Sequence, residues 1–173
     1  MKSRGFKNNN PLNIRRGLSH WVGQCEQQTD KQFVQFESMA QGFRAAWKIL
    51  ASYCRRFKTT DPQPFNVRNI IYRWAPPSDG NDTEAYIRRV LMLIARMPVE
   101  EYRINIDGEE QVMAIGSLGG EENLMPPESR GGKRQLAKLL RAMTCVENGC
   151  QLEEVSLRDI NAGHRLAFSR KQS

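Results

Sequence analysis

Residues 38–54 read SMAQGFRAAWKILASYC, and this stretch has the spacing of an amphipathic helix. Ser38 is a residue type that caps helix N-termini well. The apolar positions then recur three or four residues apart: Phe43, Trp47, Leu50 and Cys54. Side chains with that spacing share one face of an α-helix. The stretch therefore predicts a long helix whose apolar face helps to build the core.

The same periodicity and capping signals predict further helices on both sides. The predicted segments are residues 67–74, a helix capped by Asp82 or Thr83 and running through Ile94, residues 133–148, and a last short helix from Ser156 through Phe168. Pro76 and Pro77 must stop the first of these, because proline cannot continue a helix. Gly149 is well suited to end the helix at 133–148.

Two regions have the pattern of β-structure. Residues 33–36, FVQF, predict a short strand. Residues 102–106 and 111–115 flank Asp107 and Gly108, a pair that favours a hairpin turn. The predicted fold class is therefore mainly α with a small β element (α+β).

Length and composition bound the architecture. The chain has 173 residues, of which 39% are hydrophobic and 26% charged, which predicts one folded domain over residues 1–173. No stretch is apolar enough for a membrane span. The first residues, MKSRGFKNNNP, lack the apolar region of a secretory signal. We therefore expect a protein made in the cytoplasm without a signal peptide.

The charge and the cysteines restrict the classes of ligand. The formal net charge is +7, which favours polyanionic partners such as nucleic acid or an anionic cell wall. Nucleic acid is not expected, because no recognised binding motif supports it. The four cysteines form no CxxC pair and both histidines are remote from them, so no metal site is predicted. No organic cofactor is expected either. Free thiols are expected.

Glu147 is the first candidate for chemistry. It lies at the end of the predicted helix 133–148, in the sequence TCVENG. The helix macrodipole is negative there, and partial burial beside Val146 would disfavour charge further, so a protonated carboxyl is favoured. Cleavage of a glycosidic bond needs such a proton donor. A surface glutamate at a frayed helix end is the alternative interpretation.

Two polar clusters could bind a sugar. Residues 4–15, RGFKNNNPLNIR, carry asparagine amides that suit the acetamido and hydroxyl groups of amino sugars. Residues 74–86, WAPPSDGNDTEAY, place aromatic rings beside a polar loop, and pyranose faces pack on such rings. Turns held by asparagine, a core position for Trp74 and a capping role for Asp82 remain open as structural interpretations.

Taken together, the segments 4–15, 21–24 (WVGQ), 33–50, 73–87 and 147–149 (ENG) resemble one protein family. These are phage virion-associated and prophage muralytic proteins with a lysozyme-like fold. The resemblance covers nearly the whole chain in order, except for residues from about 99 to 130, which look like an insertion. Some positions differ from the family pattern: Leu12 stands where the family has glycine, and Asp79-Gly80 replace an expected glutamate.

A second resemblance, to flagellar-type glucosaminidases, concerns the order of the parts. Residues 10–15, 33–38 and 74–87 are similar to successive motifs of those enzymes, in which the catalytic glutamate helix comes first. Here only nine residues precede Asn10, and none is acidic. We therefore expect a circularly permuted chain whose final helices replace the missing one. This arrangement predicts that Glu147 lies within a sugar's reach of Asn13 and Tyr86.

The resemblance implies cleavage of the β-1,4 glycan backbone of peptidoglycan, either as a lytic transglycosylase or as a muramidase. Glu147 would be the general acid/base, and Tyr86 would stabilise positive charge on the sugar. Asp82 and Glu84 are possible helpers. The substrate-binding residues implied are Asn10, Asn13, Arg15, Trp21, Trp74, Asn81 and Asn148. The expected partners are glycan strands and other virion proteins, and the expected place of action is the cell wall. The alternative is a catalytically inactive virion or wall-binding protein of the same fold.

Overall fold

The structure is a computed structural model, and it describes residues 2–169. The helices are α1 (Arg4–Lys7), α2 (Met39–Thr59), α3 (Val67–Trp74), α4 (Thr83–Ala95), α5 (Arg130–Asn148) and α6 (Leu157–Phe168). The strands β1 (Glu100–Ile106) and β2 (Glu109–Ile115) form one antiparallel hairpin, and short 3-10 turns span Pro77–Asp79 and Leu152–Glu154. The fold is mainly α with a small β element, as the sequence predicts. Within residues 2–169, no helix combines the length and hydropathy of a membrane span.

Several predicted caps are confirmed. Ser38 begins α2 and Asp82 begins α4, each by accepting a hydrogen bond from a backbone N–H in the first helical turn. α5 ends at Gly149, whose φ of 62° is a left-handed conformation that glycine adopts without strain. These caps fix the ends of the helices that bound the candidate site.

α2 lies in the middle of the core. Trp47 is fully buried, and its indole Nε1 donates to the carbonyl of Ile160 in α6 at 3.0 Å. A Cβ added at Gly163 of α6 would lie 2.6 Å from the Cβ of Phe43, so the two helices approach as closely as only glycine allows. The last helix of the described chain therefore packs directly against its first long one.

α5 is joined to the hairpin by a buried lysine. Lys138 is 1% exposed, and its ammonium donates to three backbone carbonyls at the base of the hairpin, those of Pro98, Ile115 and Gly116. Burial lowers the pKa of Lys138. These bonds hold the ends of the hairpin segment to the helix that carries Glu147.

The start of α5 differs from the prediction of about Lys133. The helix begins at Arg130 because Ser129 caps it by accepting from the N–H of Gly132 at 3.0 Å. A Cβ on Gly131 or Gly132 would come within 2.2 Å and 2.0 Å, respectively, of atoms of the preceding loop. The two glycines therefore allow close packing inside a helix and do not mark a loop.

The strand predicted at residues 33–36 is also corrected. The segment forms two isolated bridges, Arg15 with Phe33 and Gln24 with Phe36, and no continuous strand. Its partners are the turn-rich residues 8–16 on one side and Gln24 and Cys25 on the other, which offer single hydrogen bonds at separated positions. A ladder cannot continue along a partner segment that keeps turning.

Candidate active site

A groove of about 360 Å³ opens beside the C-terminal end of α5. Four parts of the chain line it: the turn after α1 with Phe33, the inner faces of α2 and α3, the loop before α4, and the last turn of α5. The lining residues are Leu12, Asn13, Ile14, Arg15, Phe33, Ile49, Tyr53, Trp74, Ala75, Asp79, Asn81 and Glu147. The lining combines aromatic and aliphatic side chains with polar ones, as small-molecule sites commonly do.

Glu147 is held in the groove by three uncharged donors. The hydroxyl of Tyr86 and the indole Nε1 of Trp74 donate to its Oε1 at 2.9 Å and 3.3 Å. The amide Nδ2 of Asn13 donates to its Oε2 at 3.0 Å. No lysine, arginine or histidine within residues 2–169 forms a salt bridge with this carboxyl group. The geometry predicted for Glu147, beside Asn13 and Tyr86, is therefore present.

Local structure explains how the donors converge. Asn13 has a φ of 49°, a left-handed conformation that asparagine adopts more readily than most residues. Trp74 ends α3, and Tyr86 lies near the start of α4. The hydroxyl of Thr83 donates to the carbonyl of Ala75 at 2.6 Å and so joins these two helix ends. The bond holds the indole and the phenol on the same side of the carboxyl group.

Tyr86 acts on Glu147 and not on the groove surface. Burial, followed by the charge and the hydrogen bond of Glu147, raises the pKa of Tyr86 well above its ordinary value of 10.0. The phenol therefore remains a hydrogen-bond donor at any physiological pH. Its hydroxyl is directed at the carboxyl group, so contact with a sugar in the groove is not its first role.

Two of the expected substrate-binding asparagines are structural. Asn10 is fully buried, and its amide bonds to the backbone of Ile14 and Val34, which leaves nothing for a ligand. Asn148 accepts from the hydroxyl of Ser3 at 2.6 Å and donates to the carbonyl of Pro11 at 2.7 Å. It fastens the early turn to the end of α5. The predicted sugar-binding role is corrected for both.

The other expected binding residues divide into two groups. Asn13, Arg15, Trp74 and Asn81 line the groove with Glu147. Trp21 is not among the lining residues, although like Ile49 and Trp74 it packs against a small cluster of buried residues, which is Ile14, Val34, Phe36 and Ala45. Its contact with substrate stays a prediction.

The two expected helper carboxylates are engaged elsewhere. Asp82 caps α4 by accepting from the N–H of Ala85 at 2.9 Å. Glu84 accepts from the hydroxyl of Tyr72 at 2.7 Å and pairs with Arg68, and these bonds lower the pKa of Glu84. Neither lines the groove. Asp79 of the first 3-10 turn is the second carboxylate of the lining.

Sequence reasoning missed part of the groove. Ile49 and Tyr53 are four residues apart on α2 and lie on a face other than the main apolar stripe. Their i, i+4 spacing is a signal for a second apolar surface. Phe33 gave no such signal, because its place beside Arg15 depends on an isolated bridge between distant segments.

These features define the class: a mainly α protein with an open groove around a glutamate that is hydrogen-bonded and makes no salt bridge with the described residues. No protein-family model matches the chain. Protein P5 of Pseudoalteromonas phage PM2 is 38% identical over 91 residues, which are 51% of this chain and 53% of that protein. The chain thus spans about half the length of the curated relative it matches. The similarity points to a phage association and leaves the activity to be argued from the site.

Proposed function

We propose that the protein is a peptidoglycan-cleaving glycosidase of lysozyme-like fold, with Glu147 as its general acid and base. The observation that carries the proposal is the setting of this carboxyl group. It lines an open groove, is held by three uncharged donors and has no cationic partner among the described residues. A general acid and base must be held at a fixed position within reach of a bound ligand, and these donors hold the carboxyl group of Glu147 in that way.

The two carboxyl oxygens of Glu147 differ in how many further hydrogen bonds they can accept. Oε1 accepts two hydrogen bonds, from Tyr86 and Trp74, whereas Oε2 accepts one, from Asn13. A carboxylate oxygen has room for about two acceptor contacts, so Oε2 is the atom that can carry a proton toward a ligand. In the proposed reaction this proton passes to the glycosidic oxygen while the bond between that oxygen and C1 breaks, its electron pair staying on the oxygen.

The next step has two possible forms. In a muramidase, water adds to C1 and its proton returns to Glu147. In a lytic transglycosylase, a hydroxyl of the same sugar attacks C1, its proton returns to Glu147, and an anhydro sugar is released. Asp79 in the groove lining is a candidate to hold a water molecule for the first route.

The similarity to a phage protein supports a role for the enzyme as a virion component that reaches the cell wall with the particle. The contact between the early asparagine turn and the last residues of α5 supports the circularly permuted order. The substrate would then be the glycan strand of the wall, and other virion proteins would be its partners.

Digestion of purified peptidoglycan tests the proposal. We expect the protein to release muropeptides, and Glu147→Gln to reduce the rate at least about 100-fold, since it removes the proton donor. Glu153→Gln is the matched control, because Glu153 is an exposed residue of the second 3-10 turn. Mass spectrometry of the products distinguishes hydrated from anhydro ends. Absence of release, or equal release by Glu147→Gln, would favour the inactive virion or wall-binding protein.

A further inference from the structure

We propose that Arg15 binds a carboxylate of the substrate and so makes the groove selective for acidic glycans over neutral ones. This inference rests on the proposed function and assigns to one side chain the choice between two classes of glycan. Four observations carry it: the place of Arg15, its lack of an anionic partner among residues 2–169, its position beside Phe33, and the charge of the groove around it.

Arg15 is the basic residue of the groove lining. Among the residues that line it, Arg15 is basic, Asp79 and Glu147 are acidic, and the others are uncharged. A ligand with its own carboxylates would be repelled by Asp79, and a guanidinium on the same surface offsets that repulsion. The lining therefore contains one place where an acidic group is favoured.

Asp30 is a carboxylate near this turn, and it is already occupied by other donors. Asp30 accepts from Nε and Nη2 of Arg4 at 2.7 Å each and from the amide of Asn8 at 2.7 Å. The backbone N–H groups of Gln32 and Phe33 donate to it as well. The bond to Arg4, followed by these other bonds, holds the pKa of Asp30 well below its ordinary value. Asp30 thus neutralises Arg4, and within residues 2–169 Arg15 takes part in no salt bridge.

The guanidinium of Arg15 lies near the ring of Phe33, which the guanidinium of Arg4 approaches more closely, at 4.5 Å. The Cζ of Arg15 lies 6.0 Å from the centre of the Phe33 ring, and Phe33 itself lines the groove. The backbone of the same two residues forms an isolated antiparallel bridge. An exposed guanidinium without a salt-bridge partner among residues 2–169 keeps its planar set of donors for a carboxylate, which it can bind through two parallel bonds.

The chemistry of wall glycans provides the matching group. A polymer of N-acetylglucosamine is uncharged. Peptidoglycan carries a carboxylate on the lactyl group of each N-acetylmuramic acid when the peptide is absent, and carboxylates on the stem peptide when it is present. The lactyl group and the stem peptide both offer a planar carboxylate. Ligands with and without the stem peptide distinguish the two.

The test measures binding to the 173-residue chain carrying Glu147→Gln, which keeps the ligand uncleaved. The ligands are a tetramer of N-acetylglucosamine, a peptide-free peptidoglycan tetrasaccharide, and the same tetrasaccharide with stem peptides, each titrated by calorimetry. We expect one or both acidic ligands to bind about tenfold more tightly than the neutral tetramer, and Arg15→Gln to abolish that difference. Whichever acidic ligand responds to the substitution identifies the source of the carboxylate.

Arg16→Gln is the matched control. It removes the same charge one residue away, from an exposed arginine that does not line the groove and whose guanidinium donates to the carbonyl of Asp30. It should leave the preference intact. Equal affinity for all three ligands, or a preference that survives Arg15→Gln, would overturn the inference while leaving the proposed function standing. Binding of none of them would count against the proposed function and the inference together.

Discussion

Single side chains decide how the carboxyl group of Glu147 is aimed. Its three donors come from three separate segments, and each is an uncharged group. Tyr86 can be altered with the least disturbance, since phenylalanine keeps the ring and removes the hydroxyl that donates to Oε1 at 2.9 Å. The result would be a carboxyl group that is present but less well oriented.

We expect Tyr86→Phe to lower kcat for muropeptide release roughly 10- to 100-fold with little change in KM, because orientation of the reacting group matters more in the transition state than in binding. Steady-state kinetics on soluble peptidoglycan fragments measures the split. Tyr72→Phe is the control, because the hydroxyl of Tyr72 donates to Glu84, outside the groove lining. A rise in KM alone would assign Tyr86 to substrate binding.

At the same scale, the sequence predicted residue types better than it predicted their roles. Asn13 and Glu147 were both expected in the site, and the structure joins them. Asn10 was expected there too, but its amide bonds to Val34, which is 24 positions along the chain. No local pattern distinguishes an asparagine that faces a groove from one that holds two segments of backbone together, because both need the same amide.

At the scale of elements, the long helices were predictable and the close contacts between elements were not. α2, α3 and α4 follow apolar periodicity and capping residues that lie within each segment. The start of α5 was missed because Gly131 and Gly132 favour a loop by composition. Their function is set by the loop that precedes them, whose atoms leave no room for a Cβ. Tertiary packing thus overrides local propensity at that point.

The docking of α6 gives a pH-dependent prediction. His164 of α6 lies edge-on to Trp47, with ring centres 4.7 Å apart, and its Nε2 is 3.0 Å from the carbonyl of Pro127. Burial lowers the pKa of His164 below its ordinary value of 6.5. Between the lowered and the ordinary value, the unfolded chain binds more protons than the folded one. The free energy of unfolding should therefore decrease as the pH falls through this window.

Denaturant unfolding at about pH 7 and about pH 5 measures this effect, and His164→Phe should reduce the difference between the two. The chain has two histidines, so His20→Gln is a complete control. His20 is exposed, and its replacement should leave the pH dependence unchanged. Equal pH dependence in the wild type and in His164→Phe would show that His164 does not couple the docking of α6 to pH.

At the scale of the whole molecule, the candidate site depends on bringing distant parts of the chain together. Ser3 and Pro11 bond to Asn148, and Asn13 bonds to Glu147. Periodicity cannot predict such contacts, since it reports only which face of one element is apolar. The order of the motifs in the families that the chain resembles is what predicts that these parts meet. Local patterns place Glu147 at a helix end and predict no partner for it.

Charge is also unevenly distributed over the molecule. Residues 99–130, which include the hairpin, contain eight acidic and two basic side chains, whereas the remainder contains 24 basic and 11 acidic ones. A protein surface with this excess of positive charge is attracted to an anionic wall. Dissolved salt screens the attraction and shortens its range, to about 10 Å at 0.1 M salt. Binding to the wall and catalysis in the groove should therefore respond differently to salt.

We expect the fraction of protein bound to purified, intact walls to fall steeply between about 0.05 M and about 0.5 M salt, because the net charge of +7 acts over long range. Replacing Arg88, Arg89 and Arg96, which are exposed on or next to α4, with glutamine should weaken binding at low salt. The same variant should cleave soluble fragments at the wild-type rate, since none of the three lines the groove. If neither salt nor the triple substitution changed the bound fraction, contacts in the groove, and not the charge of the whole molecule, would be what holds the protein on its substrate.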